Sequence, residues 1–288
     1  MNAPAKINVC LFLGPTREDG RHELVTVMQS INLGDTVTLE PPAAGATADT
    51  VVCPGIDPAD NLALRAVAAL RAATGWDGPR VRLVIDKRIP VAAGMAGGSA
   101  DAAAALRLVA EHAGLAGRID PETLHAVAAG LGADVPAQLE PGRALATGAG
   151  EVVERLSAPR PAYGVLVLPS ARGLATADVF READRLGLPR DAASLQERLD
   201  AVRAALPDLP TALAVNELEP AALSLRPDIR EALDAARAAG AQHALLSGSG
   251  PTVLGLFGDP DATTSAAREL AAAGRVPAPI AARTLATA

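Results

Sequence analysis

Aromatic residues and cysteine are scarce in this chain. Phenylalanine, tryptophan and tyrosine make up 2% of its 288 residues, and the two cysteines are Cys10 and Cys53. Proteins that bind single-stranded nucleic acid stack the bases on aromatic side chains, so this class has little support. One cysteine lies in an apolar run and the other precedes a proline, which gives no disulfide framework. We therefore expect a reducing, cytoplasmic location.

Excess positive charge and long apolar runs are also lacking. The formal net charge is -7, whereas a protein held to nucleic acid by phosphate contacts needs a basic face. No stretch approaches 18 strongly apolar residues, and the opening MNAPAKINV does not resemble a secretory signal. We expect a soluble, unprocessed chain with no nucleic-acid or membrane partner. His22 has no His or Cys nearby at metal-ligand spacing, so a structural zinc or a Cys-His nucleophile also lacks support.

The residues that are present suffice for one large domain or two smaller ones, since 49% of them are hydrophobic. Segments rich in β-branched residues alternate with segments of helical periodicity, which predicts an α+β fold. The segment SAPRPAY at 157–163 carries two prolines and predicts a linker, so we expect domains at 1–157 and 158–288. No internal repeat or coiled coil is present, and the sequence leaves the oligomeric state open.

The pattern also predicts the order of the elements. In the first domain we expect strands at 6–13, 23–33, 35–40, 80–87, 143–147 and 152–156, and helices at 60–73, from a glycine loop to about 112, and at 121–131. In the second domain we expect a buried strand at 164–169, three helices, two strands around a glycine turn within 243–257, a helix at 261–273 and a strand near Ile280.

The stretch VAAGMAGGSADAAAAL, 91–106, places glycines directly before an alanine-rich run. Glycine lets another group approach the main chain, and alanine is the strongest helix former, so a loop should open a helix here. The amides and the dipole at such a helix start attract anions, phosphates above all. Alternatively, Ser99 only caps the helix and Asp101 only complements its dipole. The spacing of Gly94, Gly97 and Gly98 fits neither a P-loop nor a dinucleotide-binding motif.

Three further places could carry chemistry. The turn from Ser247 to Gly250 could form an anion nest or a plain connection between strands. Asp134, directly before Val135-Pro136, could simply cap a helix. Lys6 lies in an apolar strand, where its ammonium needs a partner unless the head of the side chain reaches solvent.

Five segments in order resemble the small-molecule kinases of the galactokinase, homoserine kinase, mevalonate kinase and phosphomevalonate kinase (GHMP) superfamily. They are PAKIN (4–8), DGRHEL (19–24), IPVAAGMAGGSADAA (89–103), GLGADVP (130–136) and LLSGSGP (245–251). PAKIN, DGRHEL and GADVP are similar to the motifs of those members that phosphorylate 4-diphosphocytidyl-2-C-methyl-D-erythritol, in the non-mevalonate (MEP) isoprenoid pathway.

The resemblance implies a two-domain GHMP-kinase fold with the active site in the inter-domain cleft. ATP with Mg²⁺ would phosphorylate the 2-hydroxyl of the cytidyl diphosphate sugar alcohol, a small-molecule substrate, to give the 2-phosphate. Two alternatives stay open: a GHMP kinase with a homoserine or mevalonate-type acceptor, and a catalytically silent nucleotide-binding relative. The presence of both Lys6 and Asp134 argues against a catalytically silent relative.

The same resemblance implies the site residues. Asp134 would take the proton of the attacking hydroxyl, and Lys6 would orient Asp134 and stabilise developing charge, because a carboxylate beside an ammonium stays ionised near neutrality. Ser99 would reach phosphate or magnesium, and no set of protein metal ligands is assigned. The nucleotide would contact Asn61, Lys87, Pro90, Val91, Ala92, Ala93, Gly94, Met95, Ala96, Gly97, Gly98, Ser99 and Ala100. The substrate would contact Asn8, Arg21, His22, Phe180, Gly248 and Ser249.

The chain departs from the family pattern at three of these positions. Arg21 stands where the family usually has a tyrosine that would stack on cytosine; a guanidinium plane can also stack on a base, and its charge would favour the diphosphate. Ala96 and Ala100 replace a glycine and a serine of the commoner GLGGGSS, and we expect nucleotide binding to survive both changes.

Overall fold

The computed structural model describes residues 1–206 and 211–285. Contacts divide the chain into two compact units, neither of which is continuous in sequence. The first unit comprises Met1–Ala5, Leu33–Ile89 and Ala96–Pro141; the second comprises Lys6–Asn32, Pro90–Met95 and the chain from Gly142 onward. Two long strands, β1 (Asn2–Thr16) and β2 (His22–Glu40), therefore pass from one unit to the other. The predicted boundary between 157 and 158 stays a prediction.

The first unit packs helices beside a small sheet. The C-terminal part of β2 pairs antiparallel with β4, with Thr36 opposite Asp86, and β3 runs parallel to β4. Helix α1 packs against α2 and α3, and α2 also packs against α4. Buried alanines of α1 and α2 allow their backbones to approach closely. The elements are β3 (Thr50–Val52), α1 (Leu62–Thr74), β4 (Arg82–Asp86), α2 (Gly97–His112), α3 (Pro121–Leu131) and α4 (Val135–Leu139).

The second unit contains two sets of antiparallel strands. The N-terminal part of β2 pairs with β5 (Arg143–Thr147), which pairs with β6 (Val152–Leu156). A separate sheet has the order β10-β7-β9-β8. Its strands and the helices of this unit are β7 (Gly164–Leu168), α5 (Thr176–Arg185), α6 (Ala192–Ala205), α7 (Glu219–Leu225), α8 (Ile229–Ala238), β8 (His243–Leu246), β9 (Val253–Phe257), α9 (Pro260–Ala272) and β10 (Ile280–Arg283).

The core of the second unit lies between this sheet and its helices. Leu166, Val253 and Phe257 from the strands pack with Leu218 and Leu233 from the helical side, all of them buried. Leu11 and Leu13 of β1 join the same cluster, so the strand that carries Lys6 is anchored by apolar contacts. Across the described ranges, no helix has the length and apolarity needed to cross a membrane.

The predicted α+β fold is confirmed, although its elements differ in places from those expected. The short strand β3 and the short helix α4 were not predicted. The strands expected at 23–33 and 35–40 form one strand, β2, because Gly34 is extended between them instead of turning. Between β7 and β8 the described residues hold four α-helices, where three were expected. Pro227 separates α7 from α8, since the residue before a proline is disfavoured in helical conformation, and Arg226 is accordingly non-helical.

Candidate functional site

Two glycine-rich segments of the second unit lie against each other. The Ser247 hydroxyl donates to the carbonyl of Gly94 across 3.1 Å. A Cβ at Gly94, where φ is 69°, would lie 2.0 Å from the carbonyl oxygen of Ser247. A Cβ at Gly248, where φ is 54°, would lie 3.0 Å from the carbonyl oxygen of Gly94. The turn from Ser247 to Gly250 therefore braces the glycine loop, and only glycine permits the approach at Gly94.

A buried asparagine, Asn216, holds that turn from behind. Its Nδ2 donates to the carbonyls of Leu246, at 2.8 Å, and Gly248, at 2.7 Å, and its Oδ1 accepts from the amide of Leu218 at 2.9 Å. Asn216 also forms a parallel bridge with Leu11 of β1. Asn216 has no sequence signal, because nothing in AVNELEP distinguishes it from a surface asparagine. Its hold on the turn depends on two carbonyls that lie 30 and 32 residues further along the chain.

Lys6 and Asn8 project from the same face of β1, since they are two residues apart on a strand. Lys6 Nζ donates to Asn8 Oδ1 across 2.8 Å, and Asn8 Nδ2 donates to the Thr26 hydroxyl across 2.7 Å. That hydroxyl donates to the carbonyl of Cys10 across 2.6 Å. Lys6 is 5% exposed, so its head does not simply reach solvent, as one reading of the sequence allowed.

The main chain of Lys6 also contacts the glycine loop. Its amide donates to the carbonyl of Met95 across 3.2 Å. The strand that positions the buried ammonium is therefore hydrogen-bonded to the loop expected to hold phosphate. Asn8, expected to contact substrate, engages Lys6 and Thr26 in this structure, and the sequence analysis did not identify Thr26.

The glycine loop contains two alanines in the left-handed region. Ala92 has φ 53° and Ala96 has φ 54°, and among the described residues no other non-glycine residue has positive φ. Ala96 occupies the N-cap position of α2, and no side chain caps this helix. The alternative that Ser99 serves only as the cap is therefore wrong. A Cβ at Gly98 would meet nothing within 4 Å, so the start of α2 has room beside it for an anion.

Lys87 lies beside the same helix start, between two buried carboxylates. Its Nζ donates to Asp101 Oδ2 across 2.8 Å and makes a shorter contact with Asp35 Oδ2. Asp35 Oδ1 accepts from the amides of Arg88 and Ile89. A Cβ at Gly97 would lie 3.3 Å from Lys87 Nζ. Asp101 therefore does more than complement the helix dipole, because it holds a lysine beside the start of α2.

Burial and the neighbouring charges perturb the protonation of Asp101 and of Lys87. Burial raises the pKa of Asp101 to about 7, although the hydrogen bond from Lys87 acts in the opposite direction. For Lys87, burial alone would lower the pKa, but hydrogen bonds to Asp101 and Asp35 outweigh it and leave the pKa above its ordinary value. Asp101 Oδ1 is buried and has no hydrogen-bond partner, which is consistent with a carboxyl that is easily protonated.

The small number of lysines is a sequence signal that could have identified Lys6 and Lys87 as a pair of special positions. The chain contains two lysines, Lys6 and Lys87, whereas its other permanently charged basic residues are arginines. Both lysines have buried hydrogen-bond partners. In a chain that otherwise uses arginine, a lysine indicates a position that needs a compact point charge, for which the planar guanidinium is no substitute.

Asp134 and Asn61 occupy the starts of two helices in the first unit. Asp134 directly precedes α4, but its side chain makes no capping hydrogen bond, so capping does not explain it. Asn61 caps α1: its Oδ1 accepts from the amides of Ala63, at 3.0 Å, and Leu64, at 3.4 Å. A contact of Asn61 with the nucleotide stays a prediction, and so does the role of Asp134 as a general base.

The residues expected to bind the cytidyl end lie in the second unit. The rings of His22 and Phe180 are 5.2 Å apart. His22 Nε2 lies 2.7 Å from Asp184 Oδ1 and 3.2 Å from the Thr16 hydroxyl, so the ring orientation is constrained.

The arginine that replaces the family tyrosine is held by a neighbouring carboxylate. Arg21 donates to Asp19 Oδ2 through Nε, at 2.9 Å, and through Nη2, at 2.8 Å. Ser249, in the second glycine turn, lies 2.9 Å from the Thr176 hydroxyl, measured between the two Oγ atoms. Within the described ranges, no group of three or more His, Cys, Asp or Glu side chains could hold a metal ion.

Known protein families and relatives match most of the chain. Residues 61–142 match the family described as GHMP kinases N terminal domain, and residues 192–276 match GHMP kinases C terminal. The 4-diphosphocytidyl-2-C-methyl-D-erythritol kinase of Streptomyces coelicolor is 45% identical over 284 residues, which cover 95% of this chain and 92% of that protein. Its namesake in Corynebacterium efficiens is 47% identical over 271 residues, which cover 88% and 83%.

A solved structure is similar over the same extent. The crystal structure of 4-(cytidine 5'-diphospho)-2C-methyl-D-erythritol kinase aligns with a TM-score of 0.78 and 33% sequence identity. The alignment covers 99% of this chain and 98% of that one.

The left-handed alanine at the start of α2 generates a stability prediction. Alanine in this conformation is strained by about 1–2 kcal/mol, whereas the extra freedom of glycine in the unfolded chain costs about 0.4–1 kcal/mol. Ala96→Gly should therefore raise the free energy of unfolding by about 0.5–1 kcal/mol, measured by urea denaturation. Ala93→Gly, in the same loop but without positive φ, should lower it. Equal losses in the two variants would contradict this account.

The raised pKa of Asp101 generates a pH prediction. The ordinary pKa of this carboxyl is 3.8, but in the folded protein it is about 7. Between these values the folded state binds the proton and the unfolded state does not, so the contribution of Asp101 to stability falls as pH rises. Asp101→Asn removes this contribution. Its free energy of unfolding, relative to that of the unsubstituted protein, should therefore rise with pH across this window.

Urea denaturation at a series of pH values measures this difference. The control is Ala93→Gly, which changes no titratable group and should give a difference that does not change with pH. A flat difference for Asp101→Asn would show that the buried carboxyl is ionised throughout.

Proposed function

The chain belongs to the GHMP kinases, and from this premise we propose that it transfers the γ-phosphoryl group of ATP to the 2-hydroxyl of 4-diphosphocytidyl-2-C-methyl-D-erythritol. The product is the 2-phosphate, an intermediate of the non-mevalonate isoprenoid pathway. One observation carries the proposal: the buried Lys6 is hydrogen-bonded through its main chain to the glycine loop at Met95. A catalytic cation and a phosphate-binding loop are the parts that phosphoryl transfer requires.

The glycine loop and the start of α2 bind the triphosphate. The helix begins without a side-chain cap, so its first amides and the positive end of its dipole are directed at the phosphates. The helix start is open on the side of Gly98, where an added Cβ would meet nothing within 4 Å. Ser99 contributes its hydroxyl from the first turn, and Lys87 supplies positive charge at the same helix start.

Lys6 and Asp134 carry out the chemical step. The substrate oxygen forms a bond to the γ-phosphorus, the bond from that phosphorus to the bridging oxygen of ADP breaks, and Asp134 receives the proton of the attacking hydroxyl. Lys6 orients Asp134 and stabilises the charge that develops during transfer. Because the transition state of phosphoryl transfer needs mainly positioning and charge stabilisation, a weak base is sufficient.

Ser99 is the residue that would hold a magnesium ion bound to the nucleotide. Mg²⁺ keeps several waters and is commonly bound by substrate phosphates with one or two protein oxygens. The Ser99 hydroxyl is an oxygen donor of this kind at the start of α2. When bound, the ion neutralises charge on the β- and γ-phosphates.

The cytidyl group binds at His22 and Phe180. These rings offer a flat apolar surface and a constrained imidazole, which suit a nucleobase better than the small aliphatic groups of homoserine or mevalonate. Arg21 lies next to His22 in sequence, and Asp19 holds its guanidinium in one plane, so it can stack on the base or contact the diphosphate. Gly248 and Ser249, in the turn that braces the loop, contact the substrate near the acceptor hydroxyl.

The cytoplasm is the proposed location. Cys10 and Cys53 are both free and buried, and unpaired thiols are typical of proteins in a reducing compartment.

A panel of acceptors tests the proposed reaction. ADP release with Mg·ATP should require 4-diphosphocytidyl-2-C-methyl-D-erythritol, because only this acceptor has a base to occupy the ring pair and a diphosphate to reach Arg21. Homoserine, mevalonate and a sample without acceptor complete the panel. Turnover of homoserine or mevalonate would exclude the proposed acceptor, and no turnover with any acceptor would favour a silent nucleotide-binding relative.

The role of Asp134 is tested by Asp134→Asn. Loss of a general base lowers turnover by about 10²–10⁴-fold, whereas ATP affinity, measured by calorimetry, should stay within about twofold because the loop and α2 are untouched. The control is Asp120→Asn, at the N-cap of α3, where asparagine caps as well as aspartate. If Asp134→Asn retains full turnover, another group accepts the proton.

A further inference from the structure

A buried chain of hydrogen bonds connects Lys6 to a backbone carbonyl of its own strand. It runs from Lys6 Nζ through Asn8 and the Thr26 hydroxyl to the carbonyl of Cys10, with lengths of 2.8, 2.7 and 2.6 Å. Thr26 is fully buried and Asn8 is 2% exposed. All four residues belong to the second unit.

Chemistry fixes the direction of every proton in this chain. The carbonyl of Cys10 can only accept, so the single hydroxyl proton of Thr26 points at Cys10. The oxygen of Thr26 must then accept from Asn8, which requires the amino group of the Asn8 amide on that side. The carbonyl oxygen of the Asn8 amide is consequently turned toward Lys6, where it accepts from the ammonium.

We propose that Thr26 is a positioning residue for phosphoryl transfer, which sets the orientation of the Asn8 amide and thereby the position of the Lys6 ammonium. The inference rests on the proposed function, in which Lys6 stabilises the transferring group. Thr26 touches neither substrate nor nucleotide in this role and acts only through Asn8.

Removing the hydroxyl has a specific consequence. Without it, the carbonyl of Cys10 and the amino group of Asn8 lose this partner, and only the hydrogen bond from Lys6 still orients the Asn8 amide. An amide held on one side only is free to tilt and shift, and the Lys6 ammonium shifts with the oxygen that accepts from it. Lys6 has a long side chain with several rotatable bonds, so the loss of one fixed acceptor displaces the charge.

The experiment compares Thr26→Val with Thr26→Ser. Valine keeps the shape of threonine and lacks the hydroxyl, whereas serine keeps the hydroxyl. We expect Thr26→Val to lower kcat by about 10–100-fold, the range that misplacement of a catalytic group by an ångström can cause. The KM for ATP should change by less than about twofold, because the loop amides are intact. The kcat of Thr26→Ser, which keeps the hydroxyl, should stay within about threefold of that of the unsubstituted protein.

Thr263→Val is the matched control. Thr263 is also fully buried in the second unit, and its hydroxyl donates to a backbone carbonyl, that of Asp259, at 3.3 Å. Both valine variants should lower the urea midpoint, but only Thr26→Val should lower kcat. If Thr26→Val does not fold, Thr26→Cys replaces it, and its weakly bonding thiol should give an intermediate kcat.

A double-variant cycle separates positioning from general damage. In a Lys6→Met background, adding Thr26→Val should cause no further loss, since its effect passes through Lys6. Three outcomes would each overturn the inference. The first is that Thr26→Val lowers kcat by the same factor in the Lys6→Met background as in the unsubstituted protein. The other two are a low kcat in Thr26→Ser and a normal kcat in Thr26→Val. If Lys6→Met itself keeps full turnover, the proposed role of Lys6 is wrong, and this outcome is distinct from the others.

Discussion

The need to keep buried ammonium groups paired organises both parts of the candidate site. A charge withdrawn from water is tolerated only when oxygen atoms surround it in good geometry. Lys6 meets this need through Asn8 and, behind it, Thr26, whereas Lys87 meets it through Asp35 and Asp101. The first solution links β1 to β2 through Thr26, and the second links β2 to α2 through Asp35 and Asp101.

The glycine loop follows from a second constraint, the close approach of backbones. Gly94 and Gly248 lie so near the opposite main chain that a side chain does not fit at Gly94. The loop is therefore held by hydrogen bonds from the turn and from β1, in addition to the burial of Ala93 and Met95. A loop fixed in this way can present amides to phosphate without reorganising when the ligand arrives, which is the condition for electrostatic stabilisation of a transition state.

Much of the fold could be predicted from periodicity and turn residues. The helix at α2, the strands at β5 and β7, and the α+β class follow from local patterns and are confirmed. The family was predicted from five short motifs in order and is confirmed. The errors occurred where tertiary pairing overrides local signals: Gly34 lies within a long strand, and α7 is a short helix before Pro227.

By itself, the sequence determined the order of most elements and the glycine loop, because each depends on a residue and its near neighbours, whereas it left the burial of Lys6 open. Only the tertiary structure decided which polar side chains become hydrogen-bond partners. Thr26, Asn216 and Asp35 act on groups far along the chain, and a threonine that orients an asparagine has the same local sequence character as one that does nothing. Hydrogen bonds depend on direction and on distances of about 3 Å, which are properties of the folded backbone and leave no periodic trace in the order of residues.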